Sequence, residues 1–177
     1  MPTLFHRLFF AVQPDMVTAR QTHAFVEPFA EGAAMLPPER LHMTLAITPD
    51  YPDFPRHAAD TLRTIGDTIL GEPFDVQLDR LVASRTSVAL RPARRVGELS
   101  ALAALLDRAM TSAGLCRPEY RFSPHQTAFY RQGEPWHRAV TGFVWHVREF
   151  VLIHSEYGRG RHHVLGRWPL IAQPRLL

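Results

Sequence analysis

The chain has 177 residues, 46% of them apolar, with a formal net charge of +3 and a pI near 9.6; that length suits one well-buried core, so a single domain over 1–177 is expected. No apolar run reaches the roughly 18 residues of a membrane span, and His6 and Arg7 interrupt the apolar opening MPTLFHRLFFAV, which argues against an anchor or a signal peptide. A lone cysteine, Cys116, excludes an internal disulfide and a cysteine-rich zinc site, and a cytoplasmic monomer is the expectation.

The elements follow in order. RLFFAV, Arg7 to Val12, has strand length, and Asp15 stands as an N-cap before Met16, Ala19, His23 and Val26 at helical spacing. Pro28 ends or kinks that helix, and the turn MLPPER leads into RLHMTLAI, Arg40 to Ile47. There Leu41, Met43, Leu45 and Ile47 alternate with His42, Thr44 and Ala46 as on a strand. PDYPDFP, residues 49–55, is a loop, because three prolines in seven residues defeat both periodic structures. Ala59, Leu62, Ile65 and Ile69 mark a second helix, stopped by Gly71 and Pro73. Phe74, Val76 and Leu78 alternate as a strand, TSVALRP reads as another, and Val96, Leu99, Ala103, Leu106 and Met110 define the clearest helix, closed by Gly114. RFSPHQTAFYR, Arg121 to Arg131, then places His125 and Thr127 two apart. Two apolar stretches, VWHVREFVLIH and HHVLGRWPL, end the chain across the turn YGRGR.

A weak internal repeat runs through this order. Strand, helix and His-x-Thr strand occur at 7–47 and again at 86–131, so a duplicated half-domain would bring the two motifs to one cleft from opposite sides. The bare triplet is a poor signal: 10 histidines and 12 threonines give about 0.7 copies by chance. Its weight comes from context, since each copy reads as a strand and each follows a helix.

Within a strand, His42 and Thr44 share one face about 7 Å apart, as do His125 and Thr127. Such a pair of pairs suits in-line displacement at phosphorus. One neutral imidazole takes a proton from the attacking water while one imidazolium gives a proton to the departing oxygen, each role being worth about 10² to 10⁴ in rate. An imidazole with an ordinary pKa near 6.5 serves either role. The threonine hydroxyls can donate to non-bridging phosphate oxygens. All 20 basic residues are arginine; a coding bias accounts for that usage, and guanidinium forks also suit a phosphate partner because they pair with phosphate bidentately. A net charge of +3 is too small to imply tight binding of long duplexes.

Other side chains carry weaker readings. His162 and His163 point to opposite faces if extended, which disfavours a two-ligand metal site there. Phe129, Tyr130 and Trp136 are candidate base-stacking rings, with ordinary packing as the alternative. Cys116 has no evident partner for nucleophilic chemistry.

LHMTLAI and FSPHQTAFY resemble the two signature strands of the two-histidine (2H) phosphoesterases, and the flanking RLFFAVQP, REFVLIHS and HHVLGRWPL resemble the opening and closing strands of the LigT-like RNA 2′,3′-cyclic phosphodiesterases, also called 2′-5′ RNA ligases. The resemblance implies an α+β bilobal fold, with two pseudo-symmetric antiparallel-sheet lobes, helices outside and a central cleft. It implies hydrolysis of 2′,3′-cyclic phosphate, at RNA ends or in small nucleotides, to a 2′-phosphate without metal or cofactor. His42 and His125 are then catalytic, His125 as base and His42 as acid by family analogy alone, and Thr44 and Thr127 bind phosphate. Many family members carry an arginine five residues after the second histidine. Here that position is Tyr130 and the arginine follows one later, so Arg131 is a further phosphate-binding candidate by strand alternation. Alternatives are 2′-5′ RNA ligation at the same site and an RNA-end binding module without turnover.

Overall fold

The computed structural model describes residues 4–172. Eight strands and three α-helices alternate along these residues: β1 (Phe5–Val12), α1 (Met16–Val26), β2 (Met43–Ile47), α2 (Arg56–Thr68), β3 (Phe74–Ala83), β4 (Ser87–Arg91), α3 (Gly97–Ser112), β5 (Gln126–Tyr130), β6 (Trp136–Val147), β7 (Glu149–Tyr157) and β8 (Arg161–Pro169). They form two four-stranded sheets, ordered β2-β1-β7-β8 and β5-β4-β3-β6, with every neighbouring pair antiparallel. The architecture is α+β and bilobal, as expected.

Local chemistry explains the helix ends. Asp15 accepts from the amides of Val17 and Thr18 at 2.9 Å each and so caps α1. Gly114, at φ 68°, ends the turn after α3, with its N–H donating to the Thr111 carbonyl. Gly66 leaves room on α2 for the indole of Trp168 from β8, where any Cβ would collide with the ring, and the indole N–H donates to Asp67 at 2.7 Å.

The two halves interlock. Helix α1 sets Phe25 edge-on to Phe143 of β6, 5.1 Å between centroids, and so lies against the second sheet. Helix α3, from the second half, lies against β2 of the first. One apolar core joins both sheets through Leu8, Phe10, Leu45, Leu78, Leu90 and Phe129. A smaller apolar layer of Phe9, Ala11, Ile47, Val151 and Ile153 covers the opposite face of the first sheet.

The final apolar stretch is divided differently from its appearance in sequence. VWHV closes β6 in the second sheet and EFVLIH runs in β7 of the first, with Arg148 between them. Strand β6 buries no residue from Trp136 to Val144 and lacks the alternation seen along β3.

Candidate active site

The motif strands occupy equivalent places. Strand β2 is the outer strand of its sheet beside β1, and β5 is the outer strand of the other beside β4. Each histidine stands one residue before its strand begins. Each carries the same backbone bond: His42 Nδ1 lies 2.7 Å from the Arg40 carbonyl, and His125 Nδ1 lies 2.7 Å from the Ser123 carbonyl. A carbonyl only accepts, so Nδ1 carries the proton in both rings, and Nε2 is left as the nitrogen that accepts or delivers one. Thr44 and Thr127 line the same cleft of about 630 Å³ as the two histidines. Among the described residues neither threonine hydroxyl is bonded to the protein.

A β-bulge sits at the same point of each motif. Phe10 pairs with Ala46 and Ala11 with Thr44, leaving Leu45 as the extra residue. Val88 pairs with Phe129 and Ala89 with Thr127, leaving Ala128 as the extra residue. In both strands the bulge puts two consecutive side chains into the core, Leu45 with Ala46 and Ala128 with Phe129. The residue after them turns back to the cleft, which makes Ile47 and Tyr130 counterparts lining it.

This bulge corrects the expectation for Arg131. Alternation without a bulge would bring Arg131 to the histidine face, but the inserted residue inverts the strand beyond Thr127 and sends Arg131 away. Its guanidinium donates to the Glu134 carbonyl at 3.0 Å and lies in a separate hollow with Phe29 and Trp136. Tyr130, 63% exposed, takes the place at the cleft. Of the three candidate stacking rings only Tyr130 is positioned there: Phe129 is fully buried and Trp136 packs near Phe29.

Arg40 and His162 also line the cleft, although the sequence assigned neither to the site. His42 is boxed between the ring of Phe9, 5.0 Å away, and the edge of His162, 5.3 Å away. Burial, with the nearby His125 and Arg40 charges, pushes the His42 pKa down from 6.5 to about 4 despite the favourable Arg40 carbonyl. Burial also lowers His125, with the Arg91 charge adding to it and the Ser123 carbonyl opposing. His162 is pushed down to about 3 by burial and by His42 and Arg40. Its neighbour His163 faces the other way, 2.7 Å from Glu156, as expected for an extended pair. Cys116 donates to Asp107 at 3.0 Å, and burial raises its pKa, so the thiol is not an activated nucleophile. Among the described residues no three His, Cys, Asp or Glu side chains gather to hold a metal ion, and no helix is long and apolar enough to cross a membrane.

No family model and no curated protein matches the sequence. Solved structures do match. E. coli LigT complexed with 3′-AMP superposes at a TM-score of 0.80 with 24% identity, over 94% of this chain and 98% of that one. The fold is that of LigT. The same protein complexed with NADP+ matches at a TM-score of 0.76 with 26% identity, over 95% of this chain and 99% of LigT. A protein from Thermus thermophilus matches at 0.71 with 22% identity, over 93% of this chain and 97% of its own.

Proposed function

We propose that the protein is a two-histidine phosphoesterase that hydrolyses 2′,3′-cyclic phosphate, at RNA ends or in nucleotides, to a 2′-phosphate without a metal ion. The observation that carries this reading is the matched pair of Nδ1–carbonyl bonds. They fix both imidazoles in one tautomer, each with a threonine two residues on, across one cleft. Structures of E. coli LigT complexed with 3′-AMP and with phosphate support a nucleotide phosphate as the ligand class.

Water attacks phosphorus opposite the 3′ oxygen and loses a proton to Nε2 of His125. The P–O3′ bond breaks, and Nε2–H of His42 protonates the leaving oxygen, giving a free 3′-hydroxyl and a 2′-phosphate. Thr44 and Thr127 donate to the non-bridging oxygens, whose charge grows in the transition state. At pH 7 a group with a pKa of about 4 is protonated in only about one molecule in a thousand. As the acid, His42 therefore acquires its proton together with the substrate anion, whose charge favours imidazolium.

Phosphorus NMR of the protein with 2′,3′-cyclic AMP tests the reading directly. The cyclic resonance should give way to a 2′-phosphomonoester, with the rate unchanged after prolonged chelation by EDTA. Binding without turnover would replace the enzyme by an RNA-end binding module, and activity restored only by added zinc or manganese would overturn the acid–base mechanism.

A further inference from the structure

Charge around the cleft is unevenly neutralised. Arg7 pairs with Asp50 at 2.8 Å, and Asp50 also takes Arg117 at 2.5 Å. Glu156 is tied to His163 and Arg159. Arg131 points away. Arg40 alone of the arginines lining the cleft has no carboxylate partner among the described residues. Its Nε is buried without a hydrogen-bond partner, although an arginine fork held in a fold is ordinarily satisfied.

Its placement is nevertheless built. Arg40 closes a short 3-10 turn, Pro38–Arg40, immediately before the first motif, and its carbonyl holds the His42 ring. The guanidinium reaches across to the β7–β8 turn, where a Cβ on Gly160 would lie 3.2 Å from Nη1. Gly160 sits at φ 65°, a conformation that favours glycine, so the turn presents bare backbone to the fork. The charge is felt by both adjacent imidazoles, since Arg40 contributes to lowering His42 and His162 alike. A cation held against two rings that it discourages from protonating is a place for an anion.

We propose that Arg40 is the phosphate-binding cation of the cleft, its fork and the Thr44 hydroxyl seating the non-bridging oxygens of the substrate phosphate beside His42. The phosphodiester substrate class rests on the function proposed above; the anion subsite itself does not. Phosphate bound there neutralises the charge that discourages protonation of His42, so substrate binding and proton uptake by the acid are one event.

Inorganic phosphate is the probe, titrated against chloride at matched ionic strength and followed by NMR of the His42 ring and the Arg40 Nε–H. In the wild type, phosphate should shift the Arg40 Nε–H resonance and raise the His42 pKa. Arg40→Gln should weaken phosphate about 10- to 100-fold, the range for losing a charge-assisted fork. It should also raise the His42 pKa in the phosphate-free protein. An Arg40→Gln affinity within twofold of wild type, or a wild-type Arg40 Nε–H that ignores phosphate, overturns the proposal; the second readout needs no variant and stands if Arg40→Gln fails to fold. Cyclic-nucleotide turnover separates the two readings. Phosphate binding through Arg40 without turnover leaves the subsite and removes the phosphodiesterase, whereas turnover with an unaltered KM in Arg40→Gln does the reverse.

Discussion

Acidification should destabilise this protein well before its carboxylates titrate, because the fold holds imidazoles neutral. His42 and His162 sit at about 4 and about 3 in the folded chain, against about 6.5 when unfolded. The unfolded chain therefore binds protons that the native state refuses, and stability that is complete above pH 6.5 is lost as pH falls toward 4. Integrated from pH 7 to pH 5, two such groups amount to about 4 kcal/mol, and their partial exposure reduces that to about 2 kcal/mol. His125 and His154 are also lowered, by burial first, and act in the same direction. The loss is large beside a total stability of roughly 5 to 15 kcal/mol. Urea unfolding at pH 7, 6 and 5 in a phosphate-free buffer measures it, with His162→Gln as the internal control. That variant removes one refused proton and leaves every carboxylate in place, so its stability should fall less steeply by close to one proton per molecule. Parallel profiles for wild type and His162→Gln would refute the reasoning.

Three further outcomes follow from the site and the core. His42→Ala and His125→Ala should each lower turnover of a 2′,3′-cyclic nucleotide by about 10³ or more, and Thr44→Ala or Thr127→Ala by about 10- to 10³-fold, since losing a donor leaves both proton carriers in place; steady-state rates on folded variants decide it. A leaving group that departs without a proton should rescue His42→Ala and not His125→Ala, and the opposite pattern would exchange the two roles. Gln126→Met should stabilise the fold by about 1 to 3 kcal/mol in urea unfolding. Both polar atoms of the fully buried Gln126 side chain lack protein partners, and methionine occupies the matching place in the first motif, at Met43.

The sequence showed the chemistry more clearly than the geometry around it. His42 with Thr44, and His125 with Thr127, could be placed on common faces because a period of two is a local property of the chain. The strand–helix–strand repeat was legible for the same reason. A bulge adds a single residue and leaves composition untouched, so the inversion after each threonine is hidden, and simple alternation points Arg131 rather than Tyr130 into the cleft. A signal existed: Leu45 with Ala46 and Ala128 with Phe129 are adjacent apolar pairs that break the alternation at the same offset in both motifs. Arg40 and His162 left no comparable trace. His162 meets His42 from β8, and the Arg40 guanidinium reaches Gly160 in the turn before β8; no spacing rule spans more than 100 residues of chain.

Bonds between the lobes let outer strands carry a rigid site. An outer strand offers unpaired backbone groups, and these invite fraying or foreign pairing unless they are covered. Here each motif strand is covered by the segment that leads into the other motif. The Leu36 amide donates to the carbonyl of the bulged Ala128 at 2.8 Å, and the Arg117 amide donates to the Ile47 carbonyl at 2.9 Å. Tyr120, whose phenol burial keeps protonated with a pKa near 12, adds a bond of 3.0 Å to the Thr44 carbonyl. Moving either motif away from its lobe thus breaks backbone bonds belonging to the approach of the other. The separation of the two imidazoles is set by main-chain bonds across the lobes, and an in-line displacement needs that separation held while a proton leaves on one side and arrives on the other.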